Sequence, residues 1–107
     1  MWTSLEEISA HLDHVTVGRE VNGDAIYNGA MDNAVGVASL LEVAKALKQA
    51  KPKRSILFLA LTGEEAGELG SQYFARTPTV PRRQIVAELN MDMYLPLFPL
   101  RFLEVQG

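Results

Sequence analysis

Apolar residues at positions 37, 40, 41, 44 and 47 recur at three- and four-residue steps and form one stripe, which predicts a helix over residues 34–51. Asp32 or Asn33 stands where an N-cap belongs, and Lys45, Lys48 and Lys51 load the end where cations suit the helix dipole. Pro52 stops the helix. The next segment, residues 55–61 (SILFLAL), is short and continuously apolar, the pattern of a strand buried on both faces. A second helix is predicted over residues 67–75, with Leu69, Tyr73 and Phe74 facing inward, although Gly67 and Gly70 weaken it. Pro78 and Pro81 mark a loop, and residues 84–90 (QIVAELN) read as another strand. Near the start, Ile8 and residues 15–17 (VTV) place a strand end close to His11. Residues 24–33 (DAIYNGAMDN) read as a loop entering the long helix.

Strands alternating with helices predict an α/β fold, three-layered, with a mainly parallel or mixed central sheet flanked by helices. In such sheets ligands collect at the carboxyl ends of the strands, and the polar motifs of this chain fall there.

Composition narrows the chemistry. The 107 residues are the size of one domain, and a single domain over residues 1–107 is expected. The chain has 48% apolar and 21% charged residues and a net charge of -3, so it reads as globular and lacks the basic face of a nucleic-acid binder. It contains no cysteine, which excludes a disulfide scaffold, a thiol nucleophile and a thiolate metal site. A metal here needs His, Asp and Glu ligands. The first ten residues lack a basic n-region and an apolar h-region, and no apolar run is long enough to span a bilayer. The expected compartment is the cytoplasm, with no membrane partner.

Four polar motifs stand out. His11 and Asp13 form an H-x-D, in which a carboxylate can fix the orientation of a metal-binding imidazole. Asp32 precedes the long helix, as a cap or as a ligand whose two oxygens bridge two ions. Glu64 and Glu65 follow an apolar strand, where adjacent carboxylates repel unless a cation relieves them. Asp92 follows the last predicted strand. Each motif taken alone has a bland reading as a solvated turn or cap. No serine lies in a G-x-S-x-G elbow; Ser71 comes nearest, and Ser39 and Ser55 have no such setting.

Taken in order, H-x-D, D-N, T-G-E-E and N-M-D resemble the zinc aminopeptidases with a co-catalytic metal pair, the family that includes glutamate carboxypeptidases and carboxypeptidase-Q-like enzymes. Residues 27–33 (YNGAMDN) and 58–65 (FLALTGEE) carry the resemblance most closely. It implies that His11, Asp32 and Asp92 hold a first zinc ion and that Asp32 and Glu65 hold a second. It implies Asp13 as the carboxylate supporting His11, and Glu64 as the general base in cleavage of a peptide, amide or small ester bond. The family takes a further histidine from a distant motif, and this chain has only His11 and His14. His14 sits beside the first ligand and is not given that distant role, so the resemblance supports one metal more firmly than two. It also implies a truncated form of the fold, with a bare sheet edge and an apolar tail over residues 94–103 that covers the core or packs on a partner. A homodimer or higher homo-oligomer is the expected remedy. The competing reading is a catalytically impaired peptidase-like domain that serves as an interaction scaffold.

Overall fold

A computed structural model describes residues 4–94, together with Pro99 and Arg101. The apolar tail expected over residues 94–103 therefore lies almost wholly outside the described residues. Three parallel strands build the main sheet: β1 (Leu5–His11), β4 (Ser55–Leu61) and β5 (Ile85–Asn90), in the order β4-β1-β5. The strand expected to end near His11 is β1. A two-stranded antiparallel sheet joins β2 (Val17–Val21) to β3 (Asp24–Ile26), and the described residues also form two α-helices, α1 (Val35–Ala50) and α2 (Leu69–Arg76).

The crossover through α1 runs from β1 to its neighbour β4, and the crossover through α2 runs back past β1 to β5. Right-handed crossovers of opposite direction put their helices on opposite faces of the sheet. The α/β reading from sequence is confirmed. The register sets His11 beside Leu61 and Ser9 beside Asn90, so β1 and β4 end level and β5 ends two residues earlier.

Helix α1 begins where the periodicity placed it. Its formal cap, Ala34, makes no side-chain bond, but Asn33 Oδ1 accepts the Gly36 N–H at 3.0 Å. Of the two cap candidates Asn33 serves the helix start, which leaves Asp32 free to face the histidines. Gly36 and Leu40 are buried on the sheet side, whereas Leu41, counted in the predicted stripe, is mostly exposed. At 100° per residue, Leu41 falls beyond the arc that a three-stranded sheet covers.

Other expectations need correction. Residues 24–26, read as loop, form β3. The signal was present in Asn22 and Gly23, both with positive φ, which make the tight turn of a hairpin. Strand β4 is only partly buried, because it is an edge strand and not the sheet centre. In α2, Leu69 and Tyr73 are exposed and only Phe74 turns to the cavity below, since among the described residues nothing covers the outer side of this short helix. Gly70 weakened the prediction of α2 on propensity. Its backbone N–H donates to Thr62 O at 2.9 Å, and a Cβ there would meet that oxygen at 2.4 Å, so close docking requires glycine. Val86 and Leu89 of β5 are exposed. No helix among the described residues is long and apolar enough to cross a membrane.

Candidate metal centre

All the motif residues except Asp32 sit at or just beyond the carboxyl end of a parallel strand. His11 ends β1, Glu64 and Glu65 follow β4 after the Thr62–Gly63 turn, and Asp92 follows β5. Asp32 comes from the turn that enters α1, whose Asp32–Asn33 peptide is cis.

His11 is 4% exposed. Its Nδ1 lies 3.1 Å from the Asp13 carbonyl oxygen, which accepts the proton of that nitrogen. The Nε2 lone pair then faces Asp32 Oδ1 at 3.2 Å and Asp92 Oδ1 at 3.4 Å. This nitrogen is buried with no hydrogen-bond partner among the described residues. A lone pair set against two carboxylate oxygens in a buried place is costly unless a proton or a cation lies between them. Burial pushes the His11 pKa down, but Asp92, Glu64 and the bond to the Asp13 carbonyl together outweigh it and the net shift is upward.

These spacings fit zinc. Tetrahedral ligands at about 2.0–2.1 Å from the ion stand about 3.3–3.4 Å apart along each edge. One imidazole with two carboxylates is a donor set suited to that ion.

Asp13 meets His11 chiefly through its backbone. Its carbonyl oxygen, and not its carboxylate, accepts from His11; the carboxylate is 3.8 Å from Nδ1. The carboxylate oxygens accept the backbone N–H of Glu64 at 3.3 Å and of Glu65 at 3.4 Å. Burial raises the Asp13 pKa, but these N–H groups outweigh it and hold the carboxyl below its ordinary value. Asp13 therefore pins the Glu64–Glu65 turn to the loop that follows β1 and carries His14.

The sequence expectation leaves His14 without a metal role. Its Nδ1 lies 2.8 Å from Glu65 Oε1 and 3.7 Å from Asp32 Oδ2. Asp32 thus turns one oxygen to each imidazole. Among the described residues two groups have the spacing of a cation site: His11, Asp32 and Asp92, and His14, Asp32 and Glu65. No local pattern pairs His14 with Glu65, which lies 51 positions away.

Beneath the centre lies a cavity of about 440 Å³, lined among others by Ser9, His11, Glu64, Phe74 and Asp92. Glu7 and Glu88 also line it, side by side in the register of β1 and β5. Ser9 Oγ donates to Glu88 Oε1 at 2.8 Å.

Comparison with known proteins agrees with this geometry. The profile of Peptidase family M28 matches residues 7–105. A probable zinc metalloprotease of Pyrenophora tritici-repentis is 43% identical over 74 residues, which is 69% of this chain and 17% of that protein. A probable zinc metalloprotease of Phaeosphaeria nodorum is 34% identical over the same length, 69% of this chain and 15% of its own. The alkaline phosphatase isozyme conversion protein of Escherichia coli is 32% identical over 91 residues, 79% of this chain and 26% of that protein. The chain thus spans well under a third of the relatives it matches. No solved structure matches it significantly. Because the profile runs through all four motifs, from β1 to beyond Asp92, the chain belongs to peptidase family M28.

Proposed function

We propose that the chain carries the metal centre of a zinc-dependent peptidase that removes N-terminal residues. The observation that carries this reading is the unpartnered His11 Nε2, buried and aimed at Asp32 and Asp92. His11, Asp32 and Asp92 hold the ion. Bound zinc lowers the pKa of water towards neutrality and polarises a carbonyl. Glu64, on the cavity wall beside His11, takes the proton from the attacking water and passes it to the departing amine nitrogen. Asp13 keeps Glu64 in place by accepting its backbone N–H. Zinc metalloprotease relatives support the metal and the reaction class.

The cavity supports a preference for free amino termini. Glu7, Glu64, Glu68, Glu88 and Asp92 line it with no lysine or arginine among the lining residues, so a protonated α-amino group is attracted. Its volume suits a small aminoacyl amide or ester. The test compares leucine p-nitroanilide with its N-acetyl form. Cleavage of the first alone, abolished by chelator and by Glu64→Gln, supports the reading; cleavage that survives both removes it. The scaffold reading predicts no cleavage of either substrate with the metal fully loaded.

Exposed Val86 and Leu89 on β5 support self-association through that edge of the sheet. Sedimentation of the chain at two concentrations tests this. A monomer throughout would remove it.

A further inference from the structure

We propose that the cavity beneath the metal centre takes the side chain of the substrate's first residue and selects a basic one there, with Glu7 and Glu88 recognising its charge. The inference rests on the peptidase reading and names the substrate class of that same site.

Glu7 provides the first argument. It is 8% exposed and lines the cavity, yet among the described residues its carboxylate has neither a hydrogen bond nor an ion pair. Glu88 stands directly across from it in the register of β1 and β5 and lines the same cavity. Like charges opposite one another on neighbouring strands destabilise a sheet, and a buried carboxylate without a partner is costly. The raised pKa of Glu7, caused by burial and by Glu88, reflects that cost. No lysine or arginine among the lining residues relieves the pair. The arrangement gains nothing for folding, and a cation brought in by a ligand relieves it.

Depth says which cation. Asp92 and Glu64 stand at the mouth, beside His11. Glu7 lies four residues before His11 on β1, about 13 Å along the strand. Glu88 is held between these levels by Ser9, whose Oγ donates to Oε1 at 2.8 Å. Ser9 is two residues before His11, about 7 Å along the strand. A substrate whose scissile carbonyl sits at the metal keeps its α-amino group close by, at the mouth. The deeper carboxylates are left for a side chain, and the flexible four-carbon stem of lysine carries its ammonium that far. Leu61 and Phe74 give the cavity an apolar wall on which such a stem packs while its charged head stays among the carboxylates.

A pocket for an aliphatic first residue accounts for Leu61 and Phe74 but not for Glu7 and Glu88. A leucine side chain in this place strips water from both carboxylates and returns no partner.

The test is calorimetric titration of the zinc-loaded chain with lysine amide and with norleucine amide, which shares the α-amino group and the carbon stem but lacks the terminal charge. Lysine amide is expected to bind about ten- to a hundredfold tighter, the worth of a hydrogen bond to a charged group. The ratio is expected to fall severalfold in Glu7→Gln and in Glu88→Gln; the wild-type comparison itself needs no variant and no turnover. Equal binding of the two amides, or a lysine preference that both variants keep, would overturn the proposal. Leucine p-nitroanilide, assayed on the same preparation, separates this failure from failure of the peptidase reading. Cleavage without any preference for lysine amide leaves that reading standing, whereas no cleavage together with no binding of either amide removes both.

Discussion

The Asn33 amide ties the start of α1 to the segment that carries Asp92: Nδ2 donates to Met91 O at 2.9 Å while Oδ1 accepts from Gly36 N. Asn33 is 2% exposed, so both bonds are sheltered from water. Asp32 and Asp92, neighbours of the two tied residues, are thereby both held against Nε2 of His11.

Asn33→Ala leaves the Gly36 N–H and the Met91 carbonyl without these bonds. The expected cost is about 2–3 kcal/mol of stability, since each unsatisfied buried group costs on the order of 1–3 kcal/mol. Zinc affinity should fall as well, because Asp92 loses its tether. Urea unfolding and zinc competition with a chromophoric chelator measure the two effects.

Gly36→Ala runs against helix propensity. In a free helix alanine is favoured by about 1 kcal/mol. Here a Cβ would stand 2.3 Å from Asn33 Oδ1 and 2.5 Å from Met91 O, so the helix start must move. The variant should unfold at lower urea than the wild type; a gain in stability would show that the tie around Asn33 yields.

Glu64→Gln keeps size and hydrogen bonding but removes the proton acceptor. A loss of about 10²–10⁴ in kcat is expected with zinc content unchanged. Parallel activity and metal measurements on one preparation check this, and a loss of zinc in step with activity would give Glu64 a different role.

Glu7 predicts a pH dependence of stability. It is 8% exposed, and burial, reinforced by Glu88, raises its pKa above the ordinary 4.5. The folded state therefore binds this proton more tightly than the unfolded state. The stabilising contribution is complete below about 4.5 and is lost as pH rises through the raised native value. Glu7→Gln should melt a few degrees higher than the wild type at pH 7, with the difference closing towards pH 4. Thermal melts across that range test the sign.

The sequence carried the helix periodicity, the run of residues 55–61 and the strand-end placement of His11, Glu64, Glu65 and Asp92, because each is written in local pattern. It misread what depends on distant packing. Burial of β4 depends on its place at the sheet edge, and exposure of Tyr73 depends on what lies over α2. Asp32 and Asn33 were equivalent as caps in the sequence; only the position of Met91 separates them. The approach of His14 to Glu65 spans 51 positions and no local pattern announces it.

The central claim is that His11, Asp32 and Asp92 hold zinc, and zinc content per chain tests it most directly. The wild-type chain, loaded with zinc and passed through metal-free buffer, should keep at least one ion, and His11→Ala should lose the ion at this site. A wild-type chain that emerges without zinc, or a His11→Ala chain that keeps its full complement, would contradict the account.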